Sequence, residues 1–388
     1  MIKGVFMFLK VVVIVALFGS SNVLRAESAQ TLPTKSVMHG IFEPVSELTP
    51  LSLQREGFSS VKNRKKIKAN LEKLAANAGK LETHAKGKDI GFQFLSHSLA
   101  RDSKESLKWF NKKRYDESQF VFNNLTENCI ACHSQRAGAS NFPPAAEFFK
   151  KVDVSKLPLL EKAQFQVATR QFDDALTSYE AYFASSDMTP SQMSLMEAFP
   201  DYLKLCIRIK ADPTRAIAVL EKWKERPGVP DYMVVNINYW TASLREINDK
   251  KYMTGDTLAT AEKLFQLAQK DPYITLDRSK LIYFIATSGV LQRFLAAGKG
   301  SPADIAEAYY LSGICESVIG RSFWISETEF FLEAAIRAAP GTATAEKAYA
   351  VLEEQIYFEF SGSSGTHIPE DMKVLLEELR KLAKNKTN

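Results

Sequence analysis

Apolar positions recur every three or four residues along most of the chain, and no stretch shows sustained apolar/polar alternation with β-branched enrichment. The pattern predicts an all-α protein without a sheet. Between Pro33 and Arg136 it predicts four amphipathic helices. In "TKSVMHGIFEPVSEL" the apolar stripe is Val37, Ile41, Val45 and Leu48, with Pro44 expected to bend the helix or end it early. Ser60 to Thr83 places Ile67, Leu71, Leu74, Ala78 and Leu81 on one side, and Asp89 to Lys112 does the same with Phe92, Leu95, Leu99, Leu107 and Phe110. A fourth helix, from near Tyr115, carries Phe122, Leu125, Cys129, Cys132 and His133. Four such helices with short connections imply an antiparallel four-helix bundle over residues 30–145.

The prolines of "SNFPPAAEFF" mark a boundary, and the pattern changes character beyond it. In "EKAQFQVATRQFDDALTSYEAYF", Phe165, Ala168, Phe172, Ala175, Tyr179 and Phe183 alternate small and aromatic residues at helical spacing, with a helix break near Arg170. Related halves recur in "DPTRAIAVLEKWKERPG", "TLATAEKLFQLAQKDP" and "SETEFFLEAAIRAAPG". Ala175 with Tyr179, Ala261 with Phe265 and Ala268, and the stops at Pro272 and Pro340 resemble tetratricopeptide-like repeats. Ala175, Ala216 and Ala261 lie 41 and 45 residues apart, against about 34 in that family, so residues 155–388 are expected to form an irregular α-hairpin array. The architecture implies a surface for a partner.

Composition changes the picture at the start of the chain. Residues 1–26 set Lys3 and Lys10 ahead of an apolar run from Val11 to Phe18, followed by small and polar residues to Ala26. That is the layout of a secretory signal peptide, with a run shorter than the roughly 20 residues that span a bilayer. A periplasmic location is expected, with no later membrane span. The leader carries Lys3, Lys10 and Arg25 and no acid, so its removal lowers the net charge from +5 to +2. Nucleic acid is not expected as a partner on that balance. From Arg55 to Arg114 there are sixteen Lys or Arg against six Asp or Glu, which suits either an acidic partner or solvated helix exteriors.

The candidate chemistry lies in "ENCIACHSQ". A C-x-x-C-H run in an exported chain is read first as a c-type haem attachment site. On a helix Cys129, Cys132 and His133 occupy i, i+3 and i+4 and project from one face, so two thiols can bond to the haem vinyl groups while the imidazole reaches the iron. A structural zinc needs about four ligands, and Cys206 and Cys315 stand far along the chain in apolar helical contexts. A thioredoxin-like dithiol expects a βαβ setting, and a disulfide between residues three apart on a helix is geometrically poor. Cys206 and Cys315 read as buried apolar fillers, with a disulfide between them left open.

With "CIACH" ending its fourth helix, the segment from about 30 to 145 resembles the class II cytochromes c, meaning cytochrome c′ and its low-spin relatives. The resemblance implies one covalently attached haem c with His133 as the proximal ligand. It also implies that a first-helix residue faces the sixth position: Met in low-spin electron carriers, or a non-ligating residue in five-coordinate members. Met38 is the first candidate there and His39 the second; His84, His97 and the loop residue His367 read as ordinary surface or core histidines.

The expected function is electron transfer rather than enzymic catalysis, with His133 and Met38 holding iron and the C-terminal array holding a redox partner, acidic in surface. An iron left open by Met38 would instead make the chain a sensor or carrier of a diatomic gas. A peroxidase lacks a second haem motif or an acid/base pair in the sequence, and a structural haem would have a potential matched to no carrier.

Overall fold

Pro44 does not end the first helix. In the computed structural model α1 runs from Thr34–Ser52 through both Pro44 and Pro50. A proline removes the hydrogen bond to the carbonyl four residues earlier, here that of Gly40. Asn77 of the next helix supplies the replacement, its Nδ2 donating to the Gly40 carbonyl at 2.7 Å. A Cβ at Gly40 would stand 3.1 Å from that Asn77 side chain, so glycine permits the approach. The structure describes residues 34–52, 56–88, 90–135, 157–194, 198–250, 252–269, 278–320, 327–363 and 365–384. The leader and the "SNFPPAAEFF" boundary lie outside them.

Three more helices follow in the first segment: α2 (Arg64–Ala85), α3 (Ile90–Asn111) and α4 (Tyr115–Gln135). Each packs on the one before, and α4 also touches α1. Their shared core holds Val37, Ile41 and Leu48 of α1, Ile67, Leu71, Leu74, Ala78 and Leu81 of α2, and Phe92, Leu99, Phe110, Phe122 and Leu125 from α3 and α4. Phe58, fully buried in the α1–α2 connection, meets Phe110 edge-on with ring centres 6.3 Å apart. On α3 the polar residues Ser96, Ser98, Asp102, Ser103 and Ser106 are buried as well. Ser106 donates to the Ser118 carbonyl, and Asn128 donates to Asp102, so α3 meets α4 through hydrogen bonds as well as apolar contact.

The second segment is a series of helices, neighbours packing on one another, hereafter the hairpin series after its sequence pattern: α5 (Leu159–Ala168) packs on α6 (Phe172–Ala184), and the short α7 (Pro190–Ser194) and α8 (Ala198–Lys204) follow. The chain continues as a π-helical turn over Leu205–Lys210, then α9 (Pro213–Lys224), α10 (Asp231–Asp249), α11 (Leu258–Ala268) and α12 (Leu281–Ala297). The last four are α13 (Pro302–Ile319), α14 (Glu327–Ala338), α15 (Ala343–Glu359) and α16 (Glu370–Lys384), with a two-stranded turn, Ser361–Gly362 against Gly365–Thr366, before α16.

Local sequence sets the helix starts. Ser301 and Asp304 form a reciprocal capping box at α13 with Pro302 at the first position, and Asp212 caps α9 ahead of Pro213. Small residues set the spacing: Ala175, Ala216 and Ala261 are fully buried, and Gly313 lets Leu332 of α14 approach to where a Cβ would be 2.8 Å away. Residues Leu281 to Leu291 of α12 are buried without interruption, so this helix is the centre of the second segment.

The two segments share core. Ile130, from the middle of "CIACH", is 1% exposed and belongs with Ala163, Val167 and Phe172 of the hairpin series. Helix α4 packs on α5 and on the π turn, while α3 reaches α14, where Phe94 stacks on Phe330 at 4.3 Å. From Pro33 onward the chain is one compact unit. Among the described residues the protein is all-α, with the Ser361–Thr366 turn its sole strand pairing, and no described helix is long and apolar enough to cross a membrane.

Candidate functional site

Helical spacing puts Cys129, Cys132 and His133 on one face of α4, with Ile130 about a quarter turn round from Cys129. That face borders a cavity of about 790 Å³, within the range of small-molecule and cofactor sites. Its walls come from five helices, with Leu74 contributed by α2. Met38, Ile41, Phe42 and Val45 line it from α1, Phe92 and Leu99 from α3, Phe122 and Leu125 from α4 alongside the two cysteines, and Phe165 and Ala168 from α5. The lining is chiefly apolar. Cations enter at its edges: Lys35 and Lys88 are exposed, and half-buried Arg170 follows α5.

His133 is held by the second segment. Its Nδ1 donates to the carbonyl oxygen of Ala168 at 2.8 Å. A proton fixed on Nδ1 leaves Nε2 with its lone pair, the form a metal-ligating histidine takes. Burial lowers the His133 pKa to about 4, helped by the nearby Arg170 guanidinium and opposed by hydrogen bonds to the Ala168 and Val167 carbonyls. The ring is therefore neutral at pH 7. Burial also pushes the Cys129 thiol up to about 12, with the Cys132 and Glu127 charges adding to it, so it is protonated rather than thiolate.

Met38 on α1 faces the same cavity as His133 on α4, and it packs beside Cys132 against the core of the first segment. The other histidines do not line the cavity. His39 is exposed; His84 lies beside its rim, 2.7 Å from Thr34 Oγ1 and 2.6 Å from Lys88 Nζ; His97 pairs with Glu82 at 2.6 Å; and His367 is exposed in the turn before α16. None of the four cysteines is in a disulfide. Cys206 and Cys315 are buried in the hairpin series, where burial raises both thiol pKa values, that of Cys206 to about 12. Among the described residues no group of three or more His, Cys, Asp or Glu converges as a metal cage of protein ligands alone.

Sequence patterns did not expose the parts that come from α5. Ala168 contributes a backbone carbonyl, which has no side-chain signature, and Arg170 reads as an ordinary basic turn residue. One signal was present: the helical pattern breaks at "ATRQF" without glycine or proline, which requires an ordinary residue to make the turn. Lys35 and Lys88 likewise gave no sign of sharing a rim, since fifty-three residues separate them.

No protein-family model matches the chain, and neither a curated protein nor a solved structure matches it.

Proposed function

We propose that the chain is an exported mono-haem c-type cytochrome of class II type that transfers electrons, with haem c attached to Cys129 and Cys132, His133 as proximal ligand and Met38 as the sixth. The single observation carrying this reading is that one chiefly apolar cavity gathers the two thiols, a neutral imidazole held through Nδ1, and a thioether from a separate helix. The donor set suits haem iron, and the volume and apolar lining suit a porphyrin.

When bound, the haem supplies a one-electron ferrous/ferric couple. The chain's own residues do the rest. Cys129 and Cys132 would hold the group on α4, and the Ala168 carbonyl, accepting from Nδ1, fixes the His133 ring. Met38 presents a thioether, a ligand that favours a higher potential than a second histidine. Ile41, Phe42, Phe92, Phe122 and Phe165 exclude water, which limits the reorganisation that accompanies a change of charge. The exposed Lys35 and Lys88 favour an acidic partner at the rim. Exposed Tyr232, Val235 and Tyr239, at i, i+3 and i+7 on α10, offer the hairpin series an aromatic strip for the same partner.

Optical spectroscopy of the haem-loaded protein tests the reading. A low-spin spectrum with the weak red ferric band of methionine ligation, lost in Met38→Ala, is the expected result. A high-spin, five-coordinate spectrum in the unmodified protein overturns Met38 ligation and turns the function toward diatomic gas binding.

A further inference from the structure

The end of α5, like that of α3 at Lys113, is closed by a residue other than glycine at positive φ. Arg170 has φ of +62°, in the left-handed region where a side chain clashes with its own carbonyl and glycine is the usual occupant. The turn is a complete Schellman motif: Gln171 N–H donates to the Gln166 carbonyl at 2.7 Å and Arg170 N–H to the Val167 carbonyl at 2.9 Å. A glycine would close this motif without strain. The carbonyls at the end of a helix lack intrahelical donors, and here that of Ala168 is taken by His133 Nδ1–H from α4. Arg170 lines the cavity together with His133 and Cys132, and its guanidinium lies over the Phe172 ring at 5.4 Å. Of the three non-glycine residues at positive φ among the described ones, Lys113, Arg170 and Ala211, Arg170 alone lines the cavity.

We infer that the turn Ala168–Arg170 of the hairpin series is part of the iron site of the first segment: the Ala168 carbonyl orients the proximal imidazole, and Arg170 is a positioning residue whose fixed positive charge raises the reduction potential. The inference rests on the haem reading above. A cation on the proximal side disfavours the ferric state, which carries one more positive charge than the ferrous, and in an apolar cavity that repulsion is poorly screened. The hairpin series thereby acts on the haem directly as well as on a partner. The device also explains the choice of residue: glycine would satisfy the backbone but leave His133 and Cys132 without the charge.

Potentiometry and thermal unfolding of the full-length holoprotein with Arg170→Gly, Arg170→Gln and Arg170→Lys separate the roles. Arg170→Gly relieves the backbone and removes the charge, so its thermal midpoint is expected to stay the same or rise while its midpoint potential falls. Arg170→Gln is expected to lower the potential too, and Arg170→Lys to restore most of it. Loss of haem uptake in Arg170→Gln with uptake kept in Arg170→Lys also supports the assignment. Haem-loaded Gly and Gln variants with the native potential overturn it and leave the haem reading standing. Absence of haem from the native chain is the separate result that removes both.

Discussion

Ile130 tests whether the haem motif is seated in the hairpin series. Its side chain is 1% exposed and packs with Ala163, Val167 and Phe172. Ile130→Ala removes three carbon groups. At about 0.8 kcal/mol per buried methylene the transfer loss is about 2.4 kcal/mol. The cavity left between α4, α5 and α6 adds to it, giving a range of about 2–5 kcal/mol. Ile130→Val removes one group and is expected to cost about 0.5–1.5 kcal/mol. Urea unfolding of the haem-free protein, followed by tryptophan fluorescence and circular dichroism, measures both. Because Ile130 belongs to the larger core while Cys132, two residues on, packs against the smaller one, the two probes should shift together. A loss below about 1 kcal/mol for Ile130→Ala, or a shift in one probe alone, would refute the shared core.

Two further predictions concern the hairpin series. Behind the π turn, Arg208 pairs with Glu316 at 2.7 Å and with Ser288 at 2.8 Å, and Lys204 reaches Asp201 at 3.4 Å, all of them buried. Burial pushes the Glu316 carboxyl up, but Arg208, Lys204 and Ser288 together hold it below its usual range, whereas burial and the Glu316 charge raise Glu327 from 4.5 to about 8. Glu327 is therefore protonated in the folded state and ionised in the unfolded state between those values, so stability falls as pH rises from 4.5 to 8, by at most about 5 kcal/mol. Chemical unfolding across that window should show the slope in the native protein and a flatter one in Glu327→Gln; identical slopes would contradict the assignment. Gly313→Ala should destabilise by about 1–3 kcal/mol, because its Cβ would press on Leu332 Cγ at 2.8 Å between α13 and α14. An unchanged thermal midpoint would show that the two helices are not so closely apposed.

The four stripes of the first segment were legible because each buries one face against a core whose periodicity matches the helix, as Ile67, Leu71, Leu74, Ala78 and Leu81 do on α2. The C-x-x-C-H and Met38 were legible because thiol, imidazole and thioether are scarce and their spacing has a mechanical meaning. Three features were not. The α3 stripe of Phe92, Leu95, Leu99, Leu107 and Phe110 gives no sign that Ser98, Asp102 and Ser106 are buried too, with Ser106 bonded to Ser118 and Asp102 to Asn128 on α4. Pro44 reads as a break because its remedy, Asn77, lies on another helix. Nothing local marks Arg208 and Glu316 as partners, and only the tertiary fold pairs these residues 108 positions apart. In each case the compensating group is distant in sequence, and local periodicity carries no record of it.

The most direct test of the account is the mass of the peptide containing residues 127–135, digested from protein matured in a host competent for cytochrome assembly. The account predicts one added haem, retained under denaturing conditions and absent when Cys129 and Cys132 are both changed to serine. A native peptide at its unmodified mass, from a colourless protein, would contradict it.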